Sequence, residues 1–219
     1  MSNCSFTVND IELTLLPDKA VYIKSQKILM VTDIHIGKTG HFRKAGMPVP
    51  PQLAFSDLDR LSGLITEYNP EKLIVLGDMF HAKGNFDMKL FSDWRKKIPG
   101  TEIILVKGNH DVLPLEFYRE NNVESFNELF LTENIKLVHR FMGVIEDNLF
   151  TISGHVHPAV RLQGKGRQKN VFHSFFFSKH FALLPAFGEF TGNYIINPAK
   201  EDAVFIITKD GDCQKVLKL

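Results

Sequence analysis

Cysteine is scarce in this chain: there are two in 219 residues, Cys4 and Cys213, near opposite ends and without CxxC spacing. That argues against a disulfide framework or a thiolate-ligated metal site, and both thiols read as free in a reducing compartment. Long apolar runs are missing too. The longest, such as 103–106 and 204–207, fall far short of the roughly 18 to 20 residues of a membrane-spanning helix, so no integral membrane protein is expected. Met1-Ser2-Asn3-Cys4 has no basic stretch followed by an apolar run, so no cleaved secretory signal is expected and the cytoplasm is the expected compartment. Charge of one sign is also lacking. Twenty-six Lys and Arg against 25 Asp and Glu leave +1, which removes the argument that overall basicity announces a polyanion partner. Any nucleic-acid contact has to come from local cations.

What is present is an ordinary globular composition, 44% hydrophobic and 23% charged, with no repeat or linker, and it is read as a single domain over 1–219. A core of this size needs no metal to hold it together, so a metal site here would be functional. The first thirty residues read as short strands broken by Asn9-Asp10, Pro17-Asp18 and Ser25-Gln26. A Gly-, Pro- and cation-rich loop from Gly37 to Pro51 precedes helical spacing at Ala54, Leu58, Leu61, Ile65 and Tyr68. Strand-like runs at 73–76 and 103–106 alternate with helical stretches at 88–97 and 115–121. Strands then dominate to the end. This rhythm predicts an α/β fold of two packed sheets with helices outside, and a site at the C-terminal ends of parallel strands.

Five clusters carry chemistry: Asp33-Ile34-His35, Gly77-Asp78-Met79-Phe80-His81, Gly108-Asn109-His110-Asp111, His139, and Gly154-His155-Val156-His157. A lone Asp or His at a strand end is ordinarily a turn residue or a satisfied polar group. Several in order, supplying carboxylate, amide oxygen and imidazole but no thiolate, suit manganese, iron, zinc or nickel. Asp33, His35, Asp78, Asn109, His139, His155 and His157 are more donors than one ion with an open position uses, so two ions sharing a carboxylate are expected. Asp78, the lone acid of its cluster and preceded by glycine, is the natural bridge. His139 is the weakest of the set, standing without a motif in Leu137-Val138-His139-Arg140.

In that order, these motifs resemble the signature of the calcineurin-like metallophosphoesterase superfamily. The resemblance implies a four-layered α/β/β/α sandwich with a dinuclear site, one metal on Asp33, His35, Asp78 and His157 and the other on Asp78, Asn109, His139 and His155. It also implies that His110 is the catalytic histidine, oriented by Asp111. His81, in the loop after its strand, joins them as a candidate catalytic residue. Further segments, Asp33 to Lys38, Phe42-Arg43-Lys44-Ala45-Gly46, Val49-Pro50, Leu76 to His81 and Leu184 to Gly192, resemble the ligase-associated DNA damage response endonucleases of the PdeM type. This implies a metal-dependent phosphodiesterase or endonuclease, with Mn2+ first among the candidate ions, acting on DNA beside a DNA ligase, a helicase and an exonuclease-like partner. A homodimer is compatible with this. Rival readings are a small-molecule phosphoesterase, such as a cyclic-nucleotide or lipid A pathway pyrophosphate hydrolase, and a catalytically silent scaffold.

Lys38, Arg43 and Lys44 follow the first motif closely and are expected to meet substrate phosphates. Arg161, Lys165, Arg167 and Lys169 could extend that track or could form a solvated hairpin. Phe172, Phe175, Phe176 and Phe177, which follow them, read as core rather than as stacking platforms.

Overall fold

The computed structural model describes residues 2–40, 46, 53–81, 85–164, 169–210 and 213–219. Its first four strands, β1 (Cys4–Val8), β2 (Ile11–Leu16), β3 (Ala20–Ile23) and β4 (Ile28–Val31), form an antiparallel meander. Asn9, Asp10 and Lys19 reverse the chain with φ of 43°, 65° and 63°, a conformation Asn and Asp tolerate better than most residues. The chain then alternates: α1 (Leu53–Tyr68), β5 (Lys72–Val75), α2 (Asn85–Arg95), β6 (Glu102–Val106), α3 (Leu115–Glu120) and β7 (Val123–Phe126). Strands β4 to β7 pair in parallel and complete a seven-stranded sheet in sequential order.

The second sheet has nine strands. These are β8 (Glu128–Thr132), β9 (Ile135–Val138), β10 (Phe150–Ser153), β11 (Pro158–Gln163), β12 (Lys169–Phe177), β13 (Phe181–Leu183), β14 (Tyr194–Ile195), β15 (Ala203–Asp210) and β16 (Cys213–Lys218). Strand β10 lies at its centre, parallel to both β9 and β13.

The period-2 alternation of strands divides the apolar residues into layers. Leu73, Val75, Ile103 and Leu105 face α1, α2 and α3 through Leu58, Leu61, Phe91, Trp94 and Phe117. Their neighbours Ile74, Leu76, Ile104 and Val106 face the other way and meet Leu137, Ile152, Phe175 and Phe177 of the second sheet. Strands covered on both faces in this way must be apolar throughout, and β4 is buried at every position. Phe176, Val204 and Ile206 form a smaller cluster on the outer face of the second sheet, to which none of the described helices contributes. The expected two-sheet sandwich is therefore present, with its described helices on the first sheet. Phe175, Phe176 and Phe177 are core, as their pattern implied. No described helix is long and apolar enough to cross a membrane.

Candidate metal centre

Beyond β4 and β5 the two chains keep hydrogen-bonding outside the regular sheet. The amides of Asp33, His35 and Ile36 donate to the carbonyls of Gly77, Asp78 and Met79 at 3.0, 2.9 and 2.8 Å, and His81 N–H returns to Ile36 O at 2.9 Å. This ladder carries the first two motifs side by side to the carboxyl ends of the strands, where Asn109 and His110 arrive after β6 and His155 and His157 after β10. Asp33, His35, Asp78, His155 and His157 all hold left-handed backbone, with φ between 49° and 68°. Each such residue costs about 1 to 2 kcal/mol relative to ordinary backbone. Strain concentrated on five adjacent polar residues is the mark of a site held for function rather than stability.

Close packing explains two glycines. A Cβ on Gly77, itself at φ 81°, would fall inside the His139 ring, and one on Gly154 would overlap the Thr32 hydroxyl and the Asp33 carboxylate.

Two groups of donors result, Asp33 with His35 and His157, and Asp78 with His139 and His155, the donor atoms of each lying within 4.8 Å of one another. In the first, His157 Nε2 is 3.2 Å and His35 Nε2 is 4.0 Å from Asp33 Oδ1. In the second, His139 Nε2 is 3.5 Å from Asp78 Oδ1, 3.2 Å from Asn109 Oδ1 and 3.0 Å from His155 Nδ1. Asp78 lies between the groups: its other oxygen, Oδ2, is 4.0 Å from His35 Nε2.

The chemistry of these contacts fits cations. His139 Nδ1 lies 2.9 Å from Leu76 O and His157 Nδ1 lies 3.1 Å from Gly192 O. Carbonyls only accept, so each ring carries its proton on Nδ1 and turns the Nε2 lone pair inward. Those lone pairs confront carboxylate and amide oxygens, and Asp33 Oδ1, fully buried, has no hydrogen-bond partner. Acceptors crowded against acceptors repel unless a cation, a proton or a metal ion, lies between them. Donor atoms on a tetrahedral or octahedral ion with bonds of about 2.0 to 2.2 Å are separated by roughly 3 to 3.6 Å, close to the observed spacings.

Proton occupancy is discouraged at part of the site. Burial above all, with the nearby Lys38 charge, pushes His35 down to about 3. Burial also lowers His155, with His139 and Arg140 adding to the effect. Neutral imidazole is the ligating form. For Asp33, burial opposes the charge, but a cation between it and His157, a proton in the metal-free protein, and the Thr32 hydroxyl outweigh burial and hold the carboxyl below its ordinary range. Its Oδ2 accepts from Thr32 Oγ1 at 2.5 Å and from His155 N at 2.9 Å.

His110 borders this centre, its Nε2 4.0 Å from Asp78 Oδ2 and its side chain 40% exposed. Its ring stacks on that of His81 with centroids 5.3 Å apart, and His81 meets His35 edge-on at 5.6 Å. The three rings line one wall. Asp111 departs from the orienting task expected of it. Its two oxygens accept from Phe80 N at 3.2 Å and Gly108 N at 2.9 Å, so the carboxylate clamps the loop after β6 to the loop after β5 instead of holding the His110 ring. Burial pushes it up to about 6 despite those amides. Lys38, half-buried, is close enough to Asp33 and Asp78 for their charges to raise its affinity for a proton, although burial outweighs them. Arg43, Lys44, Lys165 and Arg167 lie outside the described residues. Arg161 lies on β11 opposite Val171, and Lys169 opens β12 opposite Gln163.

Some contributors carried no motif. Thr32 is fully buried, and the carbonyls of Leu76 and Gly192 orient two rings although carbonyls leave no trace in sequence. The 184–192 segment also closes on the site: Phe187 N donates to Thr32 O at 2.8 Å and Gly188 N to Asp33 O at 3.1 Å. Arg60 of α1 holds it there, bonding Phe187 O and Glu189 and covering the Phe187 ring at 4.1 Å.

A two-sheet sandwich with two facing groups of imidazole and carboxylate donors at its strand ends is the framework of a metal-dependent phosphoesterase. The chain belongs to the calcineurin-like phosphoesterase family, which matches residues 26–201 and whose members use a dinuclear divalent-metal centre. It is similar to the Pseudomonas putida nuclease MPE, with 30% identity over 94% of this chain and 96% of that one and a TM-score of 0.77. More distant likenesses are to Yfce, a phosphoesterase from E. coli, at 13% identity over 84% and 88% of the two chains with a TM-score of 0.43. Vacuolar Protein Sorting 29 from Cryptosporidium parvum follows at 14% identity, 88% and 95% coverage and a TM-score of 0.38. No curated protein sequence matches the chain.

Proposed function

We propose that this chain is a dinuclear metal-dependent phosphodiesterase whose substrate is DNA, acting as an endonuclease in ligase-associated repair. The observation that carries the two-metal reading is Asp78, with Oδ1 toward His139 and Oδ2 toward His35. One ion is assigned to Asp33, His35, Asp78 and His157, and the other to Asp78, Asn109, His139 and His155. Mn2+ is the ion assigned first, since mixed nitrogen and oxygen donors accept it, with Fe, Zn or Ni as substitutes. When bound, the ions supply positive charge for the phosphate oxygens and lower the pKa of an attacking water.

The chain's own residues do the rest. Strained backbone and the Leu76 and Gly192 carbonyls hold donors in place before substrate arrives, so little reorganisation accompanies binding. His110 Nε2 faces the centre from an open position and is assigned the proton delivered to the leaving oxygen, with His81 stacked behind it. Lys38 is assigned a phosphate oxygen. The nuclease reading is supported by likeness to the Pseudomonas putida nuclease over nearly the whole of both chains. Ligase, helicase and exonuclease-like partners, cytoplasmic location and a homodimer are parts of the same proposal.

The test is a side-by-side assay of single-stranded DNA, supercoiled plasmid and bis(p-nitrophenyl) phosphate with Mn2+. Cleavage of internal bonds in both DNAs is expected. Turnover of the small diester with no attack on either DNA would move the assignment to a small-molecule substrate.

A further inference from the structure

We infer that the open cleft beside Asn109, His139 and His155 is the binding subsite for the nucleotide next to the scissile phosphate. Lys107 and Arg140 take its phosphate and the loop at 141–145 takes its base. This rests on the DNA reading above and adds residues to it.

The cleft has a volume of about 820 Å³, within the roughly 300 to 1,000 Å³ of small-ligand sites and sufficient for a nucleotide unit. Three of its lining residues are Asn109, His139 and His155, so a strand crossing the metal centre runs into it without a break.

Charge on its walls favours an anion. Lys136 is neutralised between Glu128 at 2.8 Å and Glu146 at 3.7 Å. Lys107 and Arg140 have no carboxylate partner among the described residues, and both line the cleft. They flank the ligand positions in sequence, Lys107 two residues before Asn109 and Arg140 directly after His139. Arg140 is near enough for its charge to act on the His155 ring. A guanidinium can grip phosphate through two parallel hydrogen bonds.

The rim adds a second requirement. Met142 and Val144, which line the cleft, are 71% and 66% exposed, apolar side chains in water beside a polar centre. Phe141 anchors the loop that bears them, stacking on Phe181 with centroids 4.4 Å apart. A contiguous exposed apolar patch bordering a cleft marks a binding surface. Unpaired cations and apolar side chains at one mouth select a ligand that is anionic at one end and flat and apolar at the other. A nucleotide has that chemistry. Inorganic phosphate lacks the second part, and an apolar peptide the first.

The experiment compares kcat/KM of the Mn2+-loaded protein for oligodeoxynucleotides of two, three, four and six residues. Wild type, Lys107→Ala/Arg140→Ala and Met142→Ser/Val144→Ser are each assayed, with thermal melting to show that the fold is retained. Wild type should gain efficiency as the added nucleotide enters the cleft. The cation double variant should lose that gain, a fall of about 10- to 100-fold on the longer substrates, and its binding should show a salt slope smaller by about 0.7 for each cation that no longer meets phosphate. The Met142→Ser/Val144→Ser variant should lose affinity with its salt slope intact, separating the part played by the base from that of the phosphate. A wild-type length gain that survives in both variants overturns the subsite while leaving the DNA reading standing. Wild type that turns over bis(p-nitrophenyl) phosphate but no oligonucleotide overturns the DNA reading and the subsite with it.

Discussion

Replacing Gly77 by Ala introduces a single methyl group, yet it should disable half of the metal centre. Gly77 has φ of 81°, and its added Cβ would enter the ring of His139. Left-handed backbone costs an alanine about 1 to 2 kcal/mol. The His139 ring must also leave its buried place, giving up the 2.9 Å bond to Leu76 O, which is worth about 1 kcal/mol. Lower backbone entropy in the unfolded chain returns about 0.4 to 1 kcal/mol. The net loss is about 1 to 3 kcal/mol, and at roughly 2 to 4 °C per kcal/mol for a chain of this size the melting temperature should fall by about 2 to 12 °C. Scanning calorimetry of metal-free protein reads the stability, and metal analysis after Mn2+ loading reads the site. The variant should keep the ion on Asp33, His35 and His157 and weaken the one on His139 and His155. Gly100→Ala, where a Cβ meets nothing within 4 Å, is the matched control. A Gly77→Ala protein with unchanged melting and full metal content would refute the reasoning.

Three further outcomes are expected. His110→Ala should leave metal content nearly intact while lowering turnover by roughly 10² to 10⁴, less for p-nitrophenyl esters, whose leaving group needs no proton; an equal loss on both substrates, measured by kcat, would assign His110 to charge stabilisation. Lys38→Ala should weaken DNA binding and flatten its salt dependence by about 0.7 to 0.9, the slope of one phosphate no longer neutralised, and unchanged binding by fluorescence anisotropy across a salt series would remove Lys38 from the substrate path. Asp111, raised from 3.8 to about 6 by burial, destabilises the metal-free fold above pH 6, where the charge is buried, and not below 3.8, where folded and unfolded chains are both protonated. Acidification from pH 7 to 4 should therefore favour wild type over Asp111→Asn by up to about 3 kcal/mol, and a difference between their urea midpoints that does not vary with pH would contradict this.

Much of this molecule is legible in its sequence. Alternation of strand-like runs with helical spacing locates β1 to β6 and α1 to α3 to within a few residues, because the helices bury one face at helical spacing and the central strands, covered on both faces, are continuous apolar runs. Strands β7, β8, β11 and β14 carry no such signal. Strands β7, β8 and β14 lie at sheet edges and β11 ends in exposed positions, and their sequences, such as Val123-Glu124-Ser125-Phe126, take their conformation from a neighbour's hydrogen bonds more than from their own pattern. At the site, donor types in order suffice to gather Asp33, His35, Asp78, Asn109, His139, His155 and His157, even His139, which has no motif around it. Sequence does not assign partners to Asp111. Its adjacency to His110 suggests a pair, but the residues lie in a tight turn that sends the carboxylate back to the Gly108 and Phe80 amides. Nor does it reveal Thr32 or the Gly192 carbonyl, since a hydroxyl beside an acid is commonplace and a carbonyl is present in every residue.

The central claim is a pair of ions joined through Asp78, and metal stoichiometry tests it most directly. Equilibrium loading of metal-free protein with Mn2+, read by elemental analysis and paired with diester hydrolysis, should give two ions per chain for wild type. Asp78→Asn removes the shared charge and should bind one ion or fewer with activity abolished. One ion per chain in fully active wild type, or two ions and near-normal activity in Asp78→Asn, would contradict the account.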